Sequence, residues 1–466
     1  MSETAESTTA QFDVIIIGAG PVGETFAGAI AAEGVRTAIV EHDLVGGDCA
    51  YYACKPSKAL LRPVEVAANT QHLSGVGSSR VIADDLLSRR DNLVSNYDDS
   101  GQKKNLESSG ITVVRGHGRL NGERTVEVHG TNGDTQTLHA DRAVVITTGT
   151  TPNIPPAFEG IPVWGSHDAT AAQDVPPRLL IVGGGPVACE AAAWMNALGS
   201  KVTMLVREGT LLTGMEPMAS DVLSDQLEAS GVDIQFFTEA TQVRRPEGMD
   251  QGLGQQKGGP ITVRTTGGES IEADELLLAT GRRPDLEAIN LASVGLETDN
   301  VLEQRTPDWL HALGDASGKH KLTHMGKYQA RQFAKQFLGQ EVDEPAVEPP
   351  TPQVVFTDPQ VAFVGLTEDA ATEAGYDVIT AEAEFSDVVG ATLLRDDVAG
   401  KAKLVVDQKT DRLLGATLVG PETGEMLHAA TIAIAAQVPV TTLQHAVPVF
   451  PTASEVWLGL LDKLKN

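Results

Sequence analysis

Two segments of the chain repeat the same order of apolar, glycine-rich and polar positions. The first is FDVIIIGAGPVGETFAGAIAAEGVRTAIVEHD, from residue 12, and the second is RLLIVGGGPVACEAAAWMNALGSKVTMLVREG, from residue 178. Each predicts an apolar strand, a glycine-rich turn, an alanine-rich helix and a second apolar strand. That order is the βαβ unit of a parallel sheet, and the glycine spacing matches the dinucleotide fingerprint. The pattern therefore predicts an α/β fold with two Rossmann-like dinucleotide-binding domains.

The glycines of the first turn have distinct physical roles. Gly18 permits the tight turn, Gly20 lets a pyrophosphate approach the backbone, and Gly23 lets the helix pack on the strand. The unpaired N–H groups and the macrodipole at the helix N-terminus favour the phosphate charge. Glu41 ends the second strand, where a carboxylate can accept a hydrogen bond from an adenosine ribose. The first repeat is thus predicted to bind an adenine dinucleotide.

The second turn departs from the first at two positions. Gly183 and Gly185 match, but Ala188 replaces the third glycine. The position that corresponds to the ribose-binding acid is Val206, and Arg207 follows it. A cation there suits a 2′-phosphate, which favours NADPH, although an acidic neighbour weakens this inference and NADH stays possible. Two different turns predict two nucleotides, FAD in the first and a nicotinamide dinucleotide in the second, and hence an electron-transfer enzyme.

Length and charge narrow the classes of partner. The chain has 466 residues, so two or three domains are expected, and its net charge is −28. That charge disfavours nucleic acid and anionic membrane surfaces as partners. The start, MSETAESTTAQ, is predicted to be a disordered tail rather than a signal peptide, and no apolar run approaches the roughly 20 residues of a membrane span. We expect a cytoplasmic protein.

Two of the three cysteines lie in GGDCAYYACKPSKALL, residues 46–61. Three cysteines in so long a chain do not make a disulfide framework, so the pair could be a staple, part of a metal site or a redox couple. No further ligands stand nearby at metal spacing, and we predict no metal site. Cys49 and Cys54 are expected in the first turns of one helix, where thiolate is favoured and a bridge would be strained. These features favour a redox couple.

The chain resembles the class I pyridine nucleotide-disulfide oxidoreductases, the family of glutathione reductase, dihydrolipoamide dehydrogenase, mycothione reductase and mercuric reductase. The resemblance rests on seven motifs in the family's order: GAGPVGE, GGDCAYYACKPSKALL, VITTGTTP, IVGGGPVACE, TGRRPD, HALGDASG and FTDPQVAFVGLTE. It implies an FAD-binding domain at 1–155 and 277–345, an NAD(P)H-binding domain at 156–276 and a C-terminal α+β dimerisation domain at 346–466. The acidic, proline-rich segment 339–352 is predicted to be a linker, and the polar segment 247–260 a mobile hairpin loop.

The resemblance also implies roles for matched residues. Cys54 would be the thiol beside the flavin, and Cys49 the interchange thiol that meets the substrate. Lys58 resembles the lysine near flavin N5, Glu190 its ion-pair partner, and Asp315 the aspartate that binds the ribityl chain. Further cofactor contacts are expected from the glycine-rich motifs, at Gly47, Thr148, Gly149 and Gly281.

One catalytic position departs from the family pattern. Disulfide reductases of the family carry His-Pro-Thr and then Ser-Glu near the C-terminus, whereas this chain reads HAVPVFPTASEVW. Glu455 matches the glutamate, but Phe450 stands at the histidine position, and we do not expect His445 to substitute for it. In the family this segment completes the active site of the other subunit, so a homodimer with shared active sites is expected.

These observations leave three functions open. The leading one is an FAD-dependent NAD(P)H oxidoreductase that passes electrons through Cys54 and Cys49 to an unidentified small-molecule disulfide or similar acceptor. The alternative is an NAD(P)H:quinone reductase in which flavin acts directly and no histidine is needed. The third is a flavoprotein redox sensor. Two complete nucleotide turns favour the enzymes.

Overall fold

A computed structural model describes residues 10–319, 321–342, 345 and 347–464. Most of the predicted N-terminal tail, and positions 343, 344 and 346 of the predicted linker, lie outside these ranges. Within the described ranges, every helix is too short or too polar to span a bilayer.

The elements follow one another along the whole chain. The strands are β1 (Ala10–Ile17), β2 (Thr37–Glu41), β3 (Thr112–Arg115), β4 (His117–Leu120), β5 (Thr125–His129), β6 (Thr135–Ile146), β7 (Thr150–Pro152), β8 (Arg178–Val182), β9 (Lys201–Leu205), β10 (Asp233–Gln235), β11 (Ala240–Arg244), β12 (Ile261–Thr265), β13 (Ser270–Ala273), β14 (Glu275–Leu278), β15 (Arg282–Pro284), β16 (Leu310–Ala312), β17 (Gln353–Val355), β18 (Gln360–Gly365), β19 (Val378–Glu384), β20 (Lys401–Asp407) and β21 (Arg412–Gly420). The helices are α1 (Pro21–Ala31), α2 (Gly47–Tyr51), α3 (Cys54–Gln71), α4 (Ala83–Leu93), α5 (Ser100–Ser108), α6 (Ser166–Thr170), α7 (Pro186–Ala197), α8 (Pro217–Ala229), α9 (Thr298–Leu302), α10 (Thr323–Phe337), α11 (Glu368–Glu373), α12 (Val389–Thr392), α13 (Thr423–Ala435), α14 (Val440–Leu443) and α15 (Val456–Lys463). Short 3₁₀ helices lie at Ser95–Tyr97, Pro156–Phe158, Glu287–Ile289, Leu291–Val294, Gly314–Ser317, Phe385–Asp387 and Ala453–Glu455.

The chain divides into two compact units. The first unit contains residues 1–56, 91–153 and 282–343, and the second contains 57–90, 154–281 and 344–466. Each unit is therefore assembled from three separate stretches of sequence.

The first unit is built on a seven-stranded sheet. Its order is β3-β2-β1-β6-β5-β4, with β16 also paired to β6, and β1, β2, β6 and β16 run parallel. Because successive side chains of a strand point to opposite faces, Ile15 and Ile17 join one core cluster and Val14 and Ile16 the other. A strand buried on both faces explains the continuous apolar run that the sequence shows here.

The second unit contains the second repeat and the C-terminal region. Strands β10-β9-β8-β14 form a parallel sheet, and β8, α7 and β9 form the predicted βαβ unit. Strands β17-β18-β21-β20-β19 form an antiparallel sheet after it. The predicted α/β class, with two Rossmann-like units and a C-terminal α+β region, is confirmed.

The segment predicted as a mobile loop, 247–260, is anchored at both ends by a buried ion pair. Arg245 and Glu275 have side chains that are 0% exposed, and their charged atoms approach to 2.6 Å. Arg245 also donates to the Gly259 carbonyl at 2.8 Å, and the Lys257 N–H donates to Glu275 Oε2 at 2.7 Å. The polar composition of this segment thus gave no sign of the buried Arg245–Glu275 ion pair that holds it.

Removing one partner of this ion pair should destabilise the second unit. We expect Arg245→Met to lower the free energy of unfolding by about 3–5 kcal/mol, because the Glu275 carboxylate is left buried without its cation. Urea unfolding followed by circular dichroism measures the change. The matched control is Arg244→Met at the exposed neighbour, expected to stay within about 0.5 kcal/mol. Equal effects of the two substitutions would contradict this account.

Candidate active site

The first glycine-rich turn lies where β1 ends and α1 begins, and it has space only on its outer side. A Cβ on Gly18 would lie 2.5 Å from the Thr147 carbonyl oxygen, and one on Gly23 would lie 2.2 Å from the Gly18 carbonyl oxygen. A Cβ on Gly20, in contrast, would meet nothing within 4 Å. The turn is thus packed tightly against the sheet and open over the start of α1, as a bound pyrophosphate requires.

Glu41 lies beside this turn and is buried. Its Oε2 accepts a hydrogen bond from the Ala19 N–H at 2.7 Å, and its Oε1 accepts one from the Asp43 N–H at 2.8 Å. A carboxylate has about four lone-pair sites, so two remain for a ribose hydroxyl. Glu41 therefore holds the turn and also fits the predicted adenosine contact.

Other predicted FAD-binding residues follow the ends of neighbouring parallel strands. Thr148 and Gly149 follow β6, and the Thr148 hydroxyl donates to the Asp285 carbonyl at 2.6 Å. Asp315 lies just after β16, and burial raises the pKa of its carboxyl while the nearby Arg282 opposes the rise. Because β1, β6 and β16 are adjacent and parallel, their carboxyl ends bring these residues to one sheet edge. The donor set fits FAD.

The cysteines lie on two helices rather than on the one helix that the sequence predicts. Cys49 is inside α2, and Cys54 begins α3. The helix is interrupted at Tyr52 and Ala53, and Pro56, which has no N–H for the Tyr52 carbonyl, weakens a continuous helix at this point. Gly47, at φ +60°, brings α2 against the first turn, since a Cβ on Gly47 would lie 2.8 Å from the Gly20 Cα.

Cys49 and Cys54 are not bonded to each other in the structure, but their side chains lie near enough to affect each other's pKa. Cys54 Sγ and the Thr323 hydroxyl oxygen, at the start of α10, lie 3.5 Å apart. The hydrogen bond with Cys54 raises the pKa of the Cys49 thiol, and burial raises it further, while Thr323 and Lys327 oppose the rise. The two thiols therefore titrate as a coupled pair.

Three groups in this region were not identified from sequence. Thr323 contacts Cys54, and Lys327 lies one turn later on the same face of α10. Burial raises the pKa of Glu24, in the first turn of α1, to about 7, with the Lys327 charge opposing. The sequence shows an acidic residue directly after the first glycine-rich turn, and a threonine followed four positions later by a lysine after Asp315. Neither pattern indicates that these side chains lie near the cysteines.

The second turn, in the second unit, repeats the design of the first. A Cβ on Gly183 would lie 2.4 Å from the Ala279 carbonyl oxygen, whereas one on Gly185 would meet nothing within 4 Å. Gly281, at φ +100°, follows β14 at the same sheet edge. Arg207 follows β9 with its side chain 70% exposed, but it pairs with Glu208 at 2.6 Å. The turn therefore fits a dinucleotide, and its cation is partly neutralised.

Lys58 and Glu190 form the ion pair that the family resemblance implies. Lys58 Nζ lies 2.9 and 2.8 Å from the two Glu190 carboxylate oxygens. Glu190 Oε1 also accepts the Phe356 N–H at 3.0 Å, and Lys58 Nζ lies 4.7 Å from the centre of the Phe356 ring. The lysine head is thus fixed by a buried carboxylate and an aromatic face. Its role beside a flavin stays a prediction.

The C-terminal segment exposes the residue at the histidine position. Phe450 is 70% exposed, and Val447 and Val449 beside it are similarly exposed. Glu455 Oε2 accepts the Gly390 N–H at 3.3 Å, so the glutamate anchors α12 within its own unit. His445 lies exposed in the turn after α14. Among the described residues, no cluster of three or more histidine, cysteine or acidic side chains could hold a metal ion.

Comparisons with known proteins match a family model and curated relatives to most of this chain. Residues 12–330 match the family model described as pyridine nucleotide-disulphide oxidoreductase, and residues 351–460 match the dimerisation domain of that family. Mercuric reductase of Staphylococcus aureus is 32% identical over 442 residues, covering 91% of this chain and 77% of the relative. Dihydrolipoyl dehydrogenase of Haloferax volcanii is 30% identical over 460 residues, covering 95% of this chain and 94% of the relative.

A solved structure gives the same match in three dimensions. The HOCl-induced flavoprotein disulfide reductase RclA from Escherichia coli superposes with a TM-score of 0.82 at 25% identity, covering 97% of this chain and 99% of that one.

An added methyl group at Gly23 should weaken FAD binding. We expect Gly23→Ala to reduce FAD affinity at least about tenfold, because forcing α1 away from the Gly18 carbonyl costs about 1–3 kcal/mol and spoils the turn. Flavin absorbance of the purified protein, against protein concentration, measures the bound fraction. Gly28→Ala on the same helix is the control, since a Cβ there meets nothing within 4 Å. Full FAD retention by Gly23→Ala would contradict the packing argument.

Proposed function

Because the chain belongs to the pyridine nucleotide-disulphide oxidoreductase family, we propose that it carries electrons from NADPH, through FAD and the Cys49–Cys54 pair, to a small-molecule disulfide. Family membership makes the chain an FAD-dependent oxidoreductase that uses a pyridine nucleotide. The observation that carries the finer proposal is the position of the two cysteines on α2 and at the start of α3, with α2 packed against the FAD-type turn at Gly47.

The protein groups have separate tasks in this scheme. When bound, the nicotinamide and FAD supply the two-electron reductant that returns the cysteine pair to the dithiol form. The first turn and Glu41 bind and orient the FAD adenosine diphosphate, and Asp315 binds the ribityl hydroxyls. The family resemblance gives Lys58, which is held by Glu190, the role of a cation that would stabilise negative charge on the flavin.

The dithiol then reduces the acceptor in two exchanges. Cys49 gives up its proton as its sulfur bonds to one sulfur of the acceptor, and the first product leaves as a thiolate that takes a proton. Cys54 then loses its proton as its sulfur attacks the Cys49 sulfur, the second product leaves as a thiolate that takes that proton, and the pair ends as a disulfide. Two electrons and two protons pass to the acceptor.

Phe450 restricts the acceptors that this scheme can reduce quickly. A positioned acid or base contributes about 10²–10⁴ in rate, and the phenyl ring at the histidine position cannot supply or accept a proton. The first exchange therefore depends on how well the product leaves as an unprotonated thiolate. We infer a preference for disulfides of low-pKa thiols over disulfides of ordinary aliphatic thiols.

An exposed apolar residue at the same position favours a second candidate, an NAD(P)H:quinone reductase. Quinones are flat and apolar, and they accept electrons from flavin without a protein thiol. Phe450, 70% exposed, would offer such a ring a stacking surface. In this reading the cysteines are not in the electron path.

We infer that the chain acts as a homodimer with shared active sites. Residues 351–460 match the family's dimerisation domain, and Val447, Val449 and Phe450 are 70–75% exposed in one chain. Three large apolar residues exposed within four positions are typical of a surface covered by a partner.

An anaerobic titration with NADPH, recorded by visible absorbance, tests the function. We expect a broad long-wavelength band after two electrons per FAD, because the Cys54 thiolate then lies against oxidised flavin. Cys54→Ser should lack the band. Cys49→Ser should lose turnover with aromatic disulfides and keep any quinone turnover. Direct flavin bleaching in the wild type, with turnover unchanged in Cys49→Ser, would sink the disulfide proposal and favour the quinone reductase.

Arg207 should set the preference for NADPH. We expect Arg207→Ala to lower kcat/KM for NADPH about tenfold and leave NADH within about twofold, because only NADPH carries the 2′-phosphate. Glu208→Gln, which releases Arg207 from its ion pair, should raise kcat/KM for NADPH. Steady-state kinetics with NADPH and with NADH measure these changes in kcat/KM. Equal losses with both would mean that Arg207 does not recognise the 2′-phosphate.

A further inference from the structure

The loop after β9, residues 207–216, connects the cation at the second turn to α8. The middle of this loop is hydrogen-bonded to the second glycine-rich turn. The Leu212 N–H donates to the Gly184 carbonyl at 2.8 Å, and the Leu211 N–H donates to the Ser220 hydroxyl at 2.9 Å. Leu211 and Leu212 are both buried, and Leu211 packs over Gly184. Any displacement of this loop would therefore pull on the backbone between Gly183 and Gly185.

The far end of the loop is held by the C-terminal region of the same unit. Glu216 is 2% exposed. Its Oε1 accepts the Glu368 N–H at 2.7 Å, and its Oε2 lies 2.9 Å from Lys403 Nζ. Lys403 is on β20, so a strand of the antiparallel sheet reaches the loop of the parallel sheet through one carboxylate.

At this contact one ammonium faces three carboxylates, of which Glu216 is buried while the side chains of Glu368 and Glu382 are 46% and 54% exposed. The Lys403 side chain is 8% exposed, and its ammonium lies 2.6 Å from Glu368 and 3.7 Å from Glu382 as well. Burial alone would lower the pKa of Lys403, but the hydrogen bonds to Glu368 and Glu216 outweigh it and raise the pKa. The ammonium stays charged, and removing it would leave the Glu216 carboxylate buried without its cation.

We propose that Lys403 and Glu216 are positioning residues for nicotinamide dinucleotide binding. Lys403 holds Glu216, Glu216 holds the end of loop 207–216, and the loop holds the Gly184 carbonyl, which fixes the pyrophosphate-binding turn and places Arg207. The proposal rests on the proposed function, because it takes the second turn to be the nicotinamide dinucleotide site. Neither residue would touch the nucleotide, so both act on affinity and not on the chemical step.

The test compares nucleotide kinetics of Lys403→Met with those of two controls in the holoenzyme. We expect Lys403→Met to raise the KM for NADPH about five- to tenfold, with kcat within about twofold, because misplacing the turn weakens nucleotide binding alone. Lys401→Met, on the same strand with an exposed side chain paired to Glu384, should leave both constants unchanged. Arg245→Met destabilises the same unit away from the loop and controls for stability alone.

Each outcome decides the proposal. A KM that rises in Lys403→Met but not in Arg245→Met supports a positioning role, and equal rises or an unchanged KM overturn it. If Lys403→Met does not fold with FAD, Glu216→Gln takes its place, since the amide still accepts the Glu368 N–H while losing the charge that Lys403 holds. A wild-type enzyme whose flavin is reduced by neither NADPH nor NADH would refute the proposed function itself, whatever these variants do.

Discussion

The candidate site of the first unit depends on close packing of the backbone at the carboxyl ends of the parallel strands β1, β6 and β16. At the ends of β1 and β6, carbonyl oxygens stand so near the turn that only a hydrogen atom fits at Gly18 and Gly23. This contact sets the direction of α1, opens space over Gly20, and lets α2 approach with Gly47. Backbone packing at these glycines thus positions the helix that carries Cys49, independently of side-chain hydrogen bonds.

Several buried carboxylates have an orienting role in this acidic protein. Glu41 is bound by two backbone N–H groups, Glu190 by Lys58 and Phe356, and Glu216 by Lys403 and Glu368. In each case a buried carboxylate fixes the end of a turn, a lysine or a loop. Position 450 is different, because the resemblance implies a histidine that carries a proton there and this chain has Phe450, which cannot carry one. The proposed chemistry therefore depends on the leaving group and not on a protein acid.

Much of the architecture could be predicted because it follows from local patterns of apolar residues and glycines in the sequence. The continuous apolar runs and glycine spacing predicted both βαβ units, and the structure confirms them. Pro56 disfavours a helix that continues from Cys49 through Cys54, but proline alone does not locate the break, since α3 continues through Pro63. The contacts of Arg245 with Glu275 and of Lys403 with Glu216 could not be predicted. They join residues 30 and 187 positions apart, and a charged residue in sequence gives no sign that it is buried.

The pairing of β16 with β6 has a consequence for the order in which the protein can form. Residues Val144–Ile146 of β6 pair with Leu310–Ala312 of β16, which the ribosome adds more than 160 residues later. Until then this edge of β6 is an unpaired parallel strand made of apolar residues, and such edges invite association with other chains. The sheet of the first unit therefore stays incomplete while most of the second nucleotide domain is synthesised. Slow translation of that interval would lengthen the time during which the unpaired edge can bind chaperones or misassemble.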